Sequence, residues 1–248
     1  MLDERPSSAG KKIFTALSYN IHECVGADGR RDPSRIAEVL KESDAAVIGL
    51  QEIHCDTAGI DESHQLNYLA KSTGFQAIAG PALQRRNGEY GNALLTNQTI
   101  SQVNRLDLSV PGREPRAAID AVLDVEGTAV RVIVTHLGLR AWERRLQVAR
   151  LLATLAKSRA DMLVVLSDIN EWLPAGRPLR SIQRYLGETR RLRTFPSYFP
   201  VFCLDRIWVS PASSLVDLSI INSPLTRVAS DHLPVKAIIE TPPRNFLH

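Results

Sequence analysis

Short runs of valine, isoleucine and leucine recur along this chain, and several are apolar at consecutive rather than alternate positions: VIGL at 47–50, VIVT at 132–135, LVVL at 163–166. A strand with one face in water alternates, so a strand apolar throughout must be covered on both faces. Two stacked sheets with helices outside satisfy this requirement. A doubly wound single sheet would too, but its first strand should lead into a glycine-rich phosphate loop, and Ser18-Tyr19-Asn20-Ile21-His22 stands there instead.

The same patterning predicts strands at Ile13–Asn20, Ala45–Gln51, Gly91–Thr96, Ala117–Val125, Ala129–Thr135, Met162–Ser167, Leu204–Val209 and Val235–Ile239. Helices are predicted at Pro33–Glu42, Glu62–Lys71 and Ala141–Ala156; the first has Asp32 as N-cap and proline just inside its start. In the third, the spacing puts Trp142, Leu146, Ala149, Leu152 and Leu155 on one apolar face, with Arg144, Arg145 and Arg150 mostly off it. No linker, repeat or low-complexity tract interrupts the pattern, so we expect one domain over 12–241 with loose termini at 1–11 and 242–248.

Composition narrows the class. Hydrophobic residues make up 44% and charged residues 23% of 248, which is ordinary for a soluble globular chain. A net charge of +3 suits an anionic partner without requiring one. Cys24, Cys55 and Cys203 are odd in number and lack CxxC spacing, which argues against a disulfide framework and a zinc site. MLDERPSSAGKK lacks the apolar core of a signal peptide, and no apolar run approaches the roughly 20 residues that cross a bilayer. We expect a cytoplasmic protein with no membrane insertion and no obligate protein partner.

Ionisable and amide groups stand where the apolar runs stop. Asn20 closes the first, Gln51-Glu52 the second and His136 the run VIVTH; Asp168 and Asn170 follow VVLS, Asp205 opens LDRIWV, and Asp231-His232 precede LPVKAII. If those ends converge, they form a pocket of carboxylates, imidazoles and amides. Such oxygen donors bind hard Mg²⁺, a carboxylate can orient water, and a second can hold an imidazole in one tautomer. Each piece alone has a plainer reading: Glu52 as a loop acid, Ser-Asp-Ile-Asn as a turn, His136 as a core histidine, Asp231-His232 as a strand cap. The ordered set is what points to a site, and with no serine or cysteine in a nucleophile motif it favours direct attack by water.

The segments SYNIH, IGLQEI, EYGNALLT, EPRAAI, VTHLGLR, VLSDINEW, LDRIWV and SDHLPV resemble, in order, the endonuclease/exonuclease/phosphatase superfamily, whose members include deoxyribonuclease-I-like nucleases, inositol-polyphosphate 5-phosphatases and bacterial sphingomyelinases. The resemblance implies an α/β (α+β) four-layer sandwich, two packed mixed β-sheets flanked by helices, deoxyribonuclease-I-like. It implies a Mg²⁺-dependent phosphoesterase, with Mn²⁺ as a substitute. Glu52 would be the main metal ligand, helped by Asn20 and Asp231. Asp168 would position or activate water, Asn170 would hold the phosphate, and His136 and His232 would contact it, with Asp205 orienting His232. Asn92 and Arg116 would serve site architecture and phosphate contact, and Glu89 is a candidate acid partner for His136. Two positions depart from the pattern. Ser167 stands where many members have glycine, and His22 where some nuclease branches have a carboxylate, which disfavours a second metal. The resemblance is greatest to compact bacterial proteins known only by family.

Three substrate readings follow. A nuclease uses the arginines crowded between Arg140 and Arg193 on a polyanion backbone. A phospholipid-headgroup or small-molecule phosphodiesterase uses the aromatic segment at 195–202 as a hydrophobic lip, unless that segment plugs the bottom of the sandwich. A binding module that has lost catalysis is the remote reading, since the expected site positions are all filled.

Overall fold

The computed structural model describes residues 12–54, 64–85, 88–157 and 160–242, so residues 1–11 and 243–248 of the expected loose termini and the predicted helix start at Glu62 fall outside the described residues. In chain order the strands are β1 (Ile13–Asn20), β2 (Val47–His54), β3 (Gln76–Arg85), β4 (Gly88–Thr96), β5 (Thr99–Asp107), β6 (Ala117–Val125), β7 (Thr128–His136), β8 (Met162–Asp168), β9 (Asp205–Ser210), β10 (Leu215–Ile220) and β11 (Val235–Glu240). The helices are α1 (Pro33–Glu42), α2 (Gln65–Thr73), α3 (Ala141–Leu155), α4 (Arg177–Leu186) and the short α5 (Thr226–Ala229). One mixed sheet runs β10-β11-β1-β2-β4-β3 and the other β5-β6-β7-β8-β9.

Alternation along each strand explains the layers. In β1, Phe14 and Ala16 enter the core between the sheets, while Leu17 and Tyr19 face α1 and α2. In β7, Val130, Val132 and Val134 face the opposite sheet and Ile133 faces α3 and α4. Both faces are buried, hence the near-continuous apolar runs. The result is the expected four-layer sandwich. The sheets meet closely at Gly49 in β2, where an added Cβ would lie 2.8 Å from Leu166 Cβ and 3.1 Å from Val134 Cγ1.

Two readings are corrected. The face of α3 that packs inward holds Arg144, Gln147, Val148, Leu151 and Leu155, whereas Trp142 and Leu146 are 40% and 46% exposed. Arg144 tolerates burial because Glu171 meets it at 3.2 Å and its Nη1 donates to the carbonyls of Gly138 and Leu139. The segment 195–202 is not a plug: Tyr198 and Phe199 are 67% and 70% exposed.

Candidate active site

The site grows out of the rows of side chains that fill the inter-sheet core. Phe14 and Ala16 continue through Ser18 to Asn20; Val130, Val132 and Val134 continue to His136; Met162, Val164 and Leu166 continue to Asp168. On antiparallel neighbours, Leu94 leads back to Asn92 in β4, and Val209 and Ile207 lead back to Asp205 in β9. Period-two alternation thus delivers five polar side chains to one end of the sandwich.

Glu52 breaks this rule. The helix-facing row Ile48, Leu50 resumes at Ile53, and the β2–β4 register shifts between Gln51 and Ile53. Glu52 is the extra residue of a β-bulge, with φ of +57°. The bulge frees its side chain to reach Asn20, whose Nδ2 donates to Glu52 Oε1 at 3.0 Å and to Asp168 Oδ2 at 3.0 Å. Asn20 Oδ1 accepts from the backbone N–H of His22 at 3.0 Å, which fixes the amide's orientation. His22 and Asn170, like Glu52, hold positive φ (46° and 48°), so three residues at this end occupy a backbone region that costs free energy outside glycine.

Asp168 lies at the centre and is 1% exposed. Its Oδ1 accepts from the Asn170 backbone N–H at 2.9 Å, and its Oδ2 lies 3.5 Å from His136 Nε2 and 3.8 Å from His232 Nε2. Asn170 Nδ2 donates to His136 Nε2 at 2.8 Å and to the Leu137 carbonyl at 2.9 Å. The group Asn170 turns outward is therefore Oδ1, an acceptor suited to water, a hydroxyl or a cation. His232 Nδ1 donates to Asp205 Oδ2 at 2.8 Å, and Thr194 Oγ1 donates to the same oxygen. Burial pulls the His136 imidazole down to about 3, against the pull of Asp168, so it is neutral. Burial also opposes protonation of His232, but Asp205, Asp168 and Asp231 outweigh it and push the group up to about 10.

Asn92 Nδ2 donates to the Ala117 carbonyl at 2.9 Å. The Arg116 guanidinium meets Glu114 at 3.0 Å, its buried Nε has no hydrogen-bond partner, and with Asn92 and His136 it lines a cavity of about 10 Å³, room for one water. Glu89 pairs with Gln84 across β3 and β4, while among the described residues the carboxylates within 4 Å of His136 are Glu52 and Asp168. Asp231 is half-buried, with one carboxylate oxygen 3.7 Å from His22 Nδ1.

The donor set fits a hard divalent cation. Asp168, Asp205 and Asp231 face one imidazolium, His232, and Glu52 lies beyond Asn20 near the neutral His136; carboxylates in such excess, two of them buried, call for a counter-charge. Glu52 keeps Oε2 for a ligand. Asp168, Asp205 and His232 also place ligand atoms within 4.8 Å of one another. There Asp205 Oδ2 takes two hydrogen bonds, while its buried Oδ1 has no hydrogen-bond partner.

Sequence reasoning missed the supporting hydroxyls. Ser230 Oγ donates to the Asn20 carbonyl at 2.8 Å, and Ser197 Oγ donates to the Ser230 carbonyl at 2.7 Å. Ser197 N also donates to the Asp231 carbonyl at 2.7 Å, tying the aromatic segment to the loop that carries Asp231 and His232. Ser230 is the first residue of SDHLPV, and its place in that segment is the one signal for it; nothing in the sequence separates Thr194 and Ser197 from ordinary turn residues.

A family model for the nuclease-like C-terminal domain of PGAP2IP, of the endonuclease/exonuclease/phosphatase type, matches residues 11–176. The chain belongs to this family. YbhP of Escherichia coli K12, an uncharacterised protein, is 30% identical over 94% of this chain and 99% of its own length. Among solved structures, the endonuclease/exonuclease/phosphatase from Bacteroides vulgatus superposes with a TM-score of 0.74 at 17% identity, covering 94% of this chain and all of that one. A mannosyl-6-phosphatase from Bacteroides thetaiotaomicron gives 0.69 at 18% identity over 91% and 99%. The endonuclease/exonuclease/phosphatase chain thus has a phosphoesterase fold.

Proposed function

We propose that this protein hydrolyses phosphodiester bonds by direct attack of water, with Mg²⁺ or Mn²⁺ as its cofactor. The observation that carries the reading is the position of Asp168: buried, at the convergence of Asn20, His136 and His232, and beside the Glu52 carboxylate. Glu52 and Asp231 would hold the cation, which supplies charge neutralisation at the phosphate. Asp168 orients the attacking water and accepts its proton, and Asn20 holds the Asp168 and Glu52 carboxylates at a fixed spacing. Protonated His232, kept in place by Asp205, donates to a non-bridging oxygen as negative charge builds there. Neutral His136 is oriented by Asn170, and Arg116 and Asn92 shape the wall behind it.

The arginines between α3 and the segment at 193 support a nuclease-type substrate. The placement of Phe195 against His232, ring centroids 4.8 Å apart, supports a second reading in which one group beside the scissile bond is apolar, as the acyl-bearing side of a phospholipid or the ring of an aryl phosphodiester is. The deciding assay combines plasmid nicking with hydrolysis of bis(4-nitrophenyl) phosphate in Mg²⁺. Both EDTA and Asp168→Ala should abolish turnover, the variant while still binding the cation; Glu52→Gln should weaken cation binding by about tenfold or more. Near-full activity in Asp168→Ala would sink the mechanism. Aryl phosphodiester turnover without nicking would select the second substrate reading.

A further inference from the structure

Among the described residues, most of the exposed large apolar side chains gather on one rim, with Ile13, Val216 and Val228 apart on β1, β10 and α5. Phe199 and Tyr198 project from the loop before β9, and Leu173, 66% exposed, projects with Trp172 from the loop after Asn170. Rings join the two loops: Trp172 packs edge-on to Phe202 at 4.9 Å and to Phe195 at 5.7 Å, and Phe195 lies against His232. The buried Arg144–Glu171 pair links the same loop to α3, where Trp142 and Leu146 face outward. Farther along, α3 and α4 enclose a groove of about 540 Å³ with Val148, Leu152 and Pro178 as its apolar lining and Arg145, Arg177 and Arg184 around it.

The charge on this rim is mainly of one sign, with Glu188 and the half-buried Asp231 as acids at its edge. Across residues 138–150, 171–184 and 193–202, every exposed charged side chain is an arginine, seven in all. The two acids in those spans, Glu143 and Glu171, are 3% and 5% exposed. Apolar side chains with amphipathic rings, framed by an excess of arginines, match the headgroup region of an anionic bilayer. A polyanion such as single-stranded nucleic acid shares the phosphate chemistry, but it needs faces on which bases stack. Trp172, Tyr198 and Phe199 present such rings, but the exposed aliphatic Leu139, Leu146, Leu173 and Val201 beside them match acyl chains rather than bases.

We propose that this rim docks the protein on a negatively charged lipid surface, with the candidate site opening beside it. No helix among the described residues is long and apolar enough to cross a membrane, and the docking proposed is through the rim's side chains. Docking does not depend on the hydrolytic reading, because it is measured as binding.

Co-sedimentation with phosphatidylcholine vesicles, with and without about 30% phosphatidylserine, tests it. Affinity should rise by about tenfold or more with the anionic lipid and fall with salt. Trp208 is 2% exposed, so a blue shift in emission on vesicle binding reports Trp142 and Trp172. Leu173→Ser with Phe199→Ser should lose binding while melting like the parent; Arg145→Gln, Arg177→Gln and Arg184→Gln together should lose the preference for anionic lipid. Should a variant fold poorly, quenching of the parent's tryptophans by brominated lipid decides the matter, and no quenching counts against docking. Three results overturn the proposal: no sedimentation with either vesicle, capture of a single-stranded oligonucleotide without vesicle binding, or a dimer in sedimentation velocity that the Leu173/Phe199 variant dissolves.

Discussion

His136 and His232 approach the same Asp168 oxygen, at 3.5 and 3.8 Å, yet carry different charge at neutral pH. Burial holds His136 down to about 3; burial works against His232 too, but three carboxylates push it up to about 10. The linkage to stability has opposite signs. The raised His232 contributes fully below its unfolded value of about 6.5 and loses that contribution as pH rises through about 10. The depressed His136 favours the fold above about 6.5, and the advantage drains away as pH falls toward about 3. The thermal midpoint should therefore decline on both sides of neutrality, and Asp205→Asn should flatten the alkaline limb by lowering the proton affinity of His232. Ring ¹⁵N shifts at pH 7 should report one neutral and one cationic imidazole. The same Asp205→Asn change should lower kcat by about 10²-fold or more, as loss of an oriented proton donor does.

At the scale of elements, the loops after β7 and β8 are clipped together from behind. Arg144 on α3 joins the Gly138 and Leu139 carbonyls to Glu171, two residues past His136 and one past Asn170. Arg144→Ala would strand the Glu171 carboxylate in a buried setting, at a cost of about 3–5 kcal/mol in denaturant unfolding. Gly49→Ala would press the sheets apart at Leu166 and should cost about 1–3 kcal/mol. These two sites also mark how much the sequence disclosed. Central strands were readable because both faces are buried: β1, β6 and the start of β11 fall where the apolar runs put them. The unread strands β3, β5 and β10 are all sheet edges, where one buried face at most weakens the pattern, and Gly80-Pro81 inside β3 mimics a turn. In α4 only Pro178, Leu179 and Ile182 are buried among arginines, too thin a stripe to stand out. The α3 face was misread because its inward side is partly ionic. Candidate site residues were legible as polar ends of apolar rows; the bulge that aims Glu52 was not, since no residue type announces it.

For the molecule as a whole, the carboxylate-rich end is a stability reservoir. A cation bound only by the folded state adds stability in proportion to the logarithm of its concentration over Kd. Millimolar Mg²⁺ should raise Tm of the parent, and the increment should shrink in Glu52→Gln; equal increments in both proteins would remove Glu52 from the cation's cradle. The site draws on both sheets and on distant parts of the chain. Asn20 closes β1, which pairs with β2 on one side and with β11 on the other. Asp231 and His232 immediately precede β11, and Ser230 fastens them to Asn20. A ribosome therefore delivers Asn20, Glu52 and Asp168 well before the imidazolium that completes the set, and β1 waits with an open edge until β11 arrives. On the proposed reading, a nascent chain holds no complete centre until the strand that follows His232 docks, so the order of synthesis itself delays activity.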